Sequence, residues 1–264
     1  MTREFLIHLT FHIILIYTLL DSLNIFYCHK LFKRGGLLSY SRIKDDIFLV
    51  SYKMIFSIII KFFFDYPNFI ILIALRFIIS ILLISNIIDE VYIFLILLIQ
   101  ILILYRNEIW LGLADGFSMI IFISLSVYFN FDSIFIKDIS IYFISIMTII
   151  SYFFTAYYKM KGKLWLNGQA LKLILSTDVF GNEKMHYILH KNPKLSILLN
   201  HSVILFQLST FFSILSPKLA IIFICLGFLF HLSISALMNL NNFFWVYIST
   251  YPCIYYMSLK INLF

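Results

Sequence analysis

Long apolar stretches separated by short polar breaks run through the whole of this sequence. A transmembrane helix needs roughly 20 mostly apolar residues, and eight stretches reach or approach that length. The pattern therefore predicts an all-α polytopic integral membrane protein with about eight transmembrane helices, in a single domain over residues 1–264 without a soluble domain. The predicted helices are Phe5–Phe26, Pro67–Ile88, Val91–Tyr105, Gly116–Phe131, Ile139–Tyr158, Leu195–Leu215, Leu219–Met238 and Asn241–Leu259.

One further apolar segment, Ile47–Phe64, is interrupted by two lysines, and its placement depends on the charges around it. Two polar breaks, Tyr27–Asp46 and Lys159–Lys194, are rich in cations, whereas the break at Asp89–Glu90 carries none. Short loops rich in lysine and arginine tend to stay on the cytoplasmic side of a membrane. If Ile47–Phe64 does not cross, both basic breaks lie on that side. We therefore predict that Ile47–Phe64 is an interfacial or re-entrant segment and that both chain termini lie outside the cell.

Composition excludes most soluble function classes. Hydrophobic residues make up 62% of the 264 positions, charged residues make up 12%, and the mean hydropathy is +0.98. Soluble domains are about half apolar and about a quarter charged, so this chain lacks the polar surface that a soluble enzyme, a nucleic-acid-binding module or a disordered chain needs. The net charge of +7 is attributed to loop cations beside anionic lipid headgroups. The predicted location is the plasma membrane, where a multi-pass protein has the lipid bilayer as its first partner.

The first candidate for chemistry is Lys159, which ends an apolar helix and is followed by Trp165 and Gly168. Ionisable residues in or beside membrane spans are costly and are therefore functional candidates. A lysine that loses hydration at the mouth of a helix bundle can become a neutral amine, and a neutral amine can serve as a base. The alternative, more common on sequence physics alone, is an ordinary cation at a helix end, with Trp165 as an anchor at the membrane interface.

The second candidate is His231, which lies in an apolar helix and precedes a polar string that includes Ser233, Ser235 and Asn239. His231 and Ser235 are four residues apart and therefore share a helix face. A buried imidazole that faces a polar cavity can hold a ligand or relay a proton. A lone histidine in such a helix more often hydrogen-bonds a neighbouring helix. Both interpretations stay open.

Charged residues also cluster between two short spans, at Arg106, Glu108 and Asp115. They either pair with each other as a structural clasp or close one end of a cavity. Arg76, near the middle of the second predicted helix, is expected to have a partner because an unpaired arginine at that depth costs several kcal/mol. Glu108, Asp115 and Asp21 are the acidic candidates, and the sequence does not choose among them.

No metal site is predicted. His8 and His12 share one face of the first helix, but no further ligand lies at a metal-binding spacing from them. The sequence also contains no phosphate-binding loop, no glycine-rich dinucleotide turn and no nucleophile elbow. Any chemistry is therefore expected from the isolated polar residues described above.

Three sequence blocks resemble the HTTM membrane-domain family, whose best-known member is the vitamin K-dependent gamma-glutamyl carboxylase. Their order and spacing agree over residues 106–252, more than half of the chain. In size the chain is similar to small bacterial members of the SdpB type, which carry no appended domain. The blocks are Arg106–Asn107 followed by Asp115, Tyr152–Phe153 followed by Lys159, Trp165 and Gly168, and His231 followed by Met238 and Phe243.

The resemblance implies roles for the first two candidates. In the carboxylase, the lysine at the position of Lys159 is the base that drives oxygenation of vitamin K hydroquinone, which implies a catalytic Lys159 and a quinone-like lipid cofactor. His231 matches a histidine that is characteristic of the family. Glu108 stands where the carboxylase has a histidine, and no large extramembrane domain follows the helices, so carboxylation of glutamate is not the implied reaction.

The resemblance also bears on the side of the membrane that the chemistry faces. The carboxylase lysine faces the lumen, which corresponds to the outside of a bacterial cell. The cation count predicts the opposite side for Lys159–Lys194. Because functional loops can override the charge rule, the outside placement is the one we favour.

Two functions follow as hypotheses. The first is maturation of a secreted antimicrobial peptide, with Lys159 as the base and His231 in a polar cavity. The second is a non-catalytic accessory or immunity protein that binds a toxic peptide in the membrane. Both hypotheses involve a small peptide as the substrate or ligand. An accessory protein encoded in the same gene neighbourhood is a further expected partner. Nucleic acid is not expected to bind. The remaining cavity or motif residues are Arg106, Asn107, Asp115, Trp165, Gly168 and Asn239.

Overall fold

The computed structural model describes residues 2–43, 61–106 and 113–261, and the regular elements within these ranges are all helical. The predicted segment Ile47–Phe64 falls almost entirely outside the described residues, as do Asn107 and Glu108. The α-helices include α1 (Arg3–Tyr27), α2 (Tyr40–Ile43), α3 (Asn68–Ile84), α4 (Ile93–Arg106), α5 (Leu113–Asn130), α6 (Ile134–Lys161), α7 (Lys163–Leu166), α8 (Ala170–Ile174), α9 (Glu183–Lys191), α10 (Pro193–Ser209), α11 (Pro217–Met238) and α12 (Asn241–Ile261). Short 3-10 turns cover His29–Phe32, Glu90–Tyr92 and Thr210–Ile214.

Each of the eight apolar stretches predicted from the sequence forms a helix. Within the described ranges, four helical segments are long and apolar enough to cross a membrane: α1, α6, α10 with its 3-10 continuation to Ile214, and α11. Helices α3 and α5 are apolar but shorter. The arrangement is consistent with a helical membrane protein, while eight crossings stay a prediction.

Local sequence signals set both ends of α11, the helix that carries His231. Pro217 stands in its first turn, where the missing N–H costs nothing because the first helical N–H groups have no intrahelical acceptor. The Ser216 hydroxyl caps the same turn by accepting from the backbone N–H of Leu219. At the other end, Asn239 adopts a left-handed conformation with φ of 56° and terminates the helix.

The lysine-rich polar break Lys159–Lys194 contains the three short helices α7, α8 and α9. Helix α9 is capped by the Asn182 side chain, which accepts from the backbone N–H of Met185, and it buries Leu189 while Lys184 is exposed. The capping residue and the helical spacing of the apolar positions explain why this charged segment is helical.

The chain divides into two compact units. The N-terminal unit comprises residues 11–137, and the C-terminal unit comprises residues 1–10 and 138–264. In the C-terminal unit, α11 and α12 pack along each other and against the turn Thr210–Ile214, which places the polar residues of three elements together. The N-terminal unit has a hydrophobic core formed by Phe32, Phe69, Leu72, Ile73, Ile99 and Ile103.

Candidate functional site

Aromatic side chains enclose His231 in the C-terminal unit, where the imidazole is 2% exposed. Its Nε2 lies 2.5 Å from the hydroxyl of Tyr152 on α6, and its ring stacks on Tyr247 of α12 with centroids 4.6 Å apart. Tyr251, one turn after Tyr247, places its hydroxyl 3.1 Å from that of Tyr152. Side chains from α6 and α12 thus hold the imidazole in one orientation. We call these four residues the histidine cluster.

A glycine permits this packing. Gly227 lies four residues before His231 and therefore on the same face of α11. A Cβ at this position would overlap the hydroxyl of Tyr251. The absence of a side chain lets Tyr251 approach α11 closely enough to reach Tyr152.

The hydrogen bonds of the histidine cluster form a chain that can run in either direction. A neutral imidazole has one donor and one acceptor nitrogen, and a tyrosine hydroxyl can both donate and accept. In one direction Tyr251 donates to Tyr152 and Tyr152 donates to Nε2 of His231. In the other direction the Nε2–H group donates to Tyr152, and Tyr152 donates to Tyr251. The geometry accommodates both tautomers of the imidazole.

The second ring nitrogen of His231 takes no part in either arrangement of the hydrogen-bond chain. Its Nδ1 is buried and has no hydrogen-bond partner among the described residues. A buried polar atom without a partner costs about 1–3 kcal/mol. Such atoms are rare in folded proteins, so the environment of His231 differs from that of an ordinary core histidine.

Lys159 lies two turns after Tyr152 on α6 and is half-buried. Its Nζ donates to Oε1 of Gln207 on α10 at 3.0 Å and lies 5.1 Å from the centroid of the Trp165 ring. Among the described residues it forms no ion pair. A carbonyl oxygen and an aromatic face stabilise an ammonium group, but neither carries the full negative charge of a carboxylate.

Lys159 and the histidine cluster share helix α6, and helix α10 contacts both. Tyr152 and Lys159 are seven residues apart on α6 and therefore lie on the same face. On α10, Phe206 packs edge-on against Tyr152 with centroids 5.7 Å apart, and the adjacent Gln207 binds Lys159. The two residues that the sequence analysis named as catalytic candidates therefore lie in neighbouring parts of one unit.

Gly168 positions the segment that carries Trp165. It has φ of 70°, in the left-handed region that favours glycine, and a Cβ there would overlap the backbone of α10. Its carbonyl accepts hydrogen bonds from the side chains of Ser196 and Asn200. This close approach holds the chain after α7 against α10 and fixes Trp165 beside Lys159.

A small pocket adjoins the histidine cluster. The space open to the centre of a water molecule is about 10 Å³, which is about the room that one water needs. A quinone ring does not fit this pocket, so the pocket does not support the quinone-like cofactor that the family resemblance implies. The lining residues are Tyr152, Phe206, Thr210, Ser213, Phe223, Ile224, Tyr251 and Ile254.

Two further motif residues, Arg106 and Asp115, lie in the N-terminal unit. The guanidinium of Arg106 is buried and donates to the backbone carbonyls of Phe64 and Leu38 at 3.0 and 2.8 Å. Asp115 accepts a hydrogen bond of 2.7 Å from the hydroxyl of Tyr17. These contacts tie chain segments together, and whether Arg106, Glu108 and Asp115 form a clasp stays a prediction because Glu108 lies outside the described residues. The third residue of this block, Asn107, lies outside the described residues.

The buried Arg76 has the partner that its position requires. Of the three acidic candidates left open by the sequence, the structure identifies Asp21, which lies 2.6 Å from Nη2. Nε donates to Ser22 at 3.0 Å and Nη1 to Gln100 at 2.7 Å. We call these four residues the arginine cluster, in which each guanidinium nitrogen has an acceptor.

The polar string after His231 is not what surrounds the imidazole. Ser233 donates to the carbonyl of Phe230, and Ser235 donates to the side chain of Asn241. Asn239 accepts from Asn241 at 3.1 Å and ends α11. These contacts organise the connection between α11 and α12, whereas the partners of the imidazole come from α6 and α12.

Sequence reasoning did not single out Gln207, Gly227, Tyr247 or Tyr251. One signal was present, because Gly227 and His231 on α11 have the same four-residue spacing as Tyr247 and Tyr251 on α12. That signal is weak in a chain with 17 tyrosines. Nothing in the sequence pairs Gln207 with Lys159, since the two residues are 48 positions apart.

No protein-family model, no curated protein and no solved structure matches this chain. Within the ranges that the structure describes, no group of three or more histidine, cysteine, aspartate or glutamate side chains could hold a metal ion.

Proposed function

We propose that this chain is an HTTM-type protein of the plasma membrane, of the small bacterial SdpB type, with about eight membrane crossings. It takes part in the maturation of a small secreted antimicrobial peptide. Lys159 acts as a base in that maturation, and the histidine cluster is a neutral polar centre beside it. The observation that carries the proposal is the partner set of Lys159: the amide of Gln207 and the ring of Trp165, with no carboxylate among the described residues.

This partner set suits a group that gains and loses a proton. In its neutral form, Nζ has a lone pair that can accept a proton from a substrate. In its charged form, Nζ donates to Gln207 and faces Trp165, so the product of proton transfer has contacts ready to stabilise it. A carboxylate partner would instead favour the ammonium form in the resting state.

Mass spectrometry of secreted peptides tests the proposal. Peptides are compared from cells with the wild-type protein, without it, and with Lys159→Gln or Lys161→Gln. Lys161 is the matched control because it is exposed, lies on the same helix, and contacts the Tyr157 ring at 4.2 Å. We expect a defined mass shift with the wild type and with Lys161→Gln. The shift is expected to be absent without the protein and with Lys159→Gln present at normal levels in the membrane. A mass shift that persists with Lys159→Gln contradicts the role of Lys159.

The second candidate function is a non-catalytic accessory or immunity protein that binds a toxic peptide. The observation that favours it is the exposed surface of the lysine-rich segment, where Tyr187 is 57% exposed and Lys191 lies 4.4 Å from its ring centroid. A cationic and aromatic surface suits an amphipathic peptide with acidic residues. Loss of protection from the peptide in a Tyr187→Ala, Lys191→Ala variant, with protection retained in Lys159→Gln, would favour this function over the first.

A further inference from the structure

The lysine-rich segment Lys159–Lys194 carries a positive charge that the described residues do not neutralise. Seven lysines against two acidic residues, Asp178 and Glu183, leave a formal charge of +5. None of these lysines forms an ion pair with a described residue. Five of them are exposed and are therefore available to a partner outside the chain: Lys161, Lys163, Lys184, Lys191 and Lys194.

The segment is folded, so the backbone that carries these cations has a fixed shape. Each of its three short helices packs against α10, and α9 also packs against α8. His186 of α9 donates from Nδ1 to the backbone carbonyl of Lys172 at 2.9 Å. A surface with a fixed shape binds a partner without first paying for its own ordering.

Helix α9 presents cations and an aromatic ring on one face. Lys184, Tyr187 and Lys191 are spaced three and four residues apart and therefore lie on the same side of the helix. Leu189 lies on the opposite side and is buried. Nζ of Lys191 is 4.4 Å from the ring centroid of Tyr187. Lysine and tyrosine on one exposed helix face are typical of a helix that lies in the membrane interface.

Large apolar side chains are exposed elsewhere in the segment. Leu164, Leu166, Leu173 and Val179 are each between 44% and 75% exposed. Single exposed apolar residues are common on soluble proteins, but apolar side chains among unpaired lysines suit the boundary between headgroups and acyl chains.

The two ends of the segment indicate where this surface lies. It begins in the last turn of α6 and ends in the first turn of α10, and both helical segments are long and apolar enough to cross a membrane. A helix that crosses a membrane ends at the membrane surface. Polybasic segments in that position are attracted to anionic lipids.

We propose that the lysine-rich segment lies in the membrane interface and binds the headgroups of anionic lipids, with Lys184 and Lys191 of α9 in contact with their phosphates. An acidic peptide offers the same charge, but the bilayer is favoured because the segment joins two membrane-crossing helices and exposes apolar side chains. The proposal rests on the membrane crossings of the proposed function and does not depend on the role of Lys159.

Thermal unfolding of the full-length protein in lipid nanodiscs is the first test. Discs of phosphatidylcholine are compared with discs of an equal mixture of phosphatidylcholine and phosphatidylglycerol. Ligands that bind the folded state raise the midpoint, and we expect the anionic discs to raise it by about 2–4 °C. The rise should shrink at high salt, because ions screen the attraction. Equal midpoints in the two kinds of disc overturn the proposal.

Two double variants, matched in charge, locate the binding surface. Lys184→Gln, Lys191→Gln removes two cations of α9, whereas Lys218→Gln, Lys260→Gln removes two cations outside the segment, in the first turn of α11 and the last turn of α12. We expect the first variant to lose a substantial part of the rise and the second to keep it. A loss that is no larger in the first variant than in the second overturns the assignment to α9.

Acetylation of lysines, measured by peptide mass spectrometry, is the second test. We expect Lys184 and Lys191 to react several-fold more slowly in anionic discs than in neutral discs, and Lys218 to change less. Unchanged reaction of Lys184 and Lys191 overturns the proposal, and their protection by an acidic peptide instead would assign the surface to the second candidate function. Neither test measures peptide maturation, so failure here leaves the role of Lys159 intact. A protein that stays soluble without lipid or detergent would contradict the membrane crossings themselves.

Discussion

In the N-terminal unit, the buried guanidinium of Arg76 donates from each of its three nitrogens, and one of the acceptors is the carboxylate of Asp21. In the C-terminal unit, the buried imidazole of His231 is held by neutral tyrosines, and its Nδ1 has no partner among the described residues. The arginine cluster is charged, and each nitrogen of its guanidinium has an acceptor. The histidine cluster is neutral, and one ring nitrogen of its imidazole has no partner among the described residues. A buried charge with a partner at each nitrogen stabilises a fold, whereas a neutral cluster with an unused ring nitrogen can also bind a ligand or transfer a proton.

The same difference predicts how each cluster responds to substitution. Removal of one partner of a buried ion pair leaves an uncompensated charge, which is among the most costly changes that a protein interior can undergo. Removal of a neutral hydroxyl costs much less. We therefore expect the arginine cluster to govern stability and the histidine cluster, with Lys159, to govern activity.

The largest effect is expected for Arg76→Met. This substitution leaves Asp21 without its guanidinium partner, and we expect the free energy of unfolding in mild detergent to fall by about 3–5 kcal/mol. The double variant Arg76→Met, Asp21→Leu removes both charges and should regain most of the loss. A loss below about 1 kcal/mol for Arg76→Met would show that the pair is not the stabilising element that its contacts indicate.

The next effect is expected for Gly227→Ala, which places a methyl group against the hydroxyl of Tyr251. Overpacking of this kind costs about 1–3 kcal/mol. Gly116→Ala on α5 is the matched control, since a Cβ there meets open space and alanine favours a helix by up to about 1 kcal/mol. Tyr251→Phe should rescue Gly227→Ala in part, because it removes the clashing hydroxyl but leaves the ring carbon Cζ 2.9 Å from the added Cβ. Equal unfolding free energies for the two alanine variants would contradict the close approach.

A smaller effect is expected for Tyr152→Phe. Tyr152 contacts both His231 and Tyr251, so removal of its hydroxyl should cost about 1–2 kcal/mol. Tyr251→Phe, which removes a single described hydrogen bond, should cost less. The comparison of the two single variants with the double variant by chemical unfolding measures their coupling, and strictly additive losses would argue against a connected chain.

The smallest effect on stability is expected for Lys159→Gln. The half-buried amine has one hydrogen bond to a neutral side chain, so we expect the free energy of unfolding to change by less than about 1 kcal/mol. A loss comparable to that of Arg76→Met would assign Lys159 to the structural framework.

The helices were largely predictable from the sequence, because long apolar stretches leave few alternatives to a helix. The charged segment Lys159–Lys194 was not, since its three short helices depend on caps such as Asn182 and on packing against α10. The need for a partner at Arg76 followed from burial cost alone. The sequence could not identify the acidic partner, because the choice of Asp21 depends on how α1 packs against α3.

The candidate site was predictable in its central residues and not in its surroundings. Lys159 and His231 stand out because polar residues are scarce in these helices. The partners of His231 come from α6 and α12, whereas the polar residues next to it in sequence bond elsewhere. Contacts between helices that are distant in sequence depend on how the helices pack. The role of Gly227 is therefore visible only in the structure, where Tyr251 lies against it.

The different roles of the two clusters are tested most directly by mass spectrometry of the secreted peptide. The peptide is measured in cells that carry either Lys159→Gln or the double variant Arg76→Met, Asp21→Leu. Membrane levels of the two proteins are matched first. If the histidine cluster and Lys159 form the reactive centre and the arginine cluster is structural, the double variant retains the mass shift and Lys159→Gln loses it. Retention of the shift with Lys159→Gln, together with its loss in the double variant, would contradict the account.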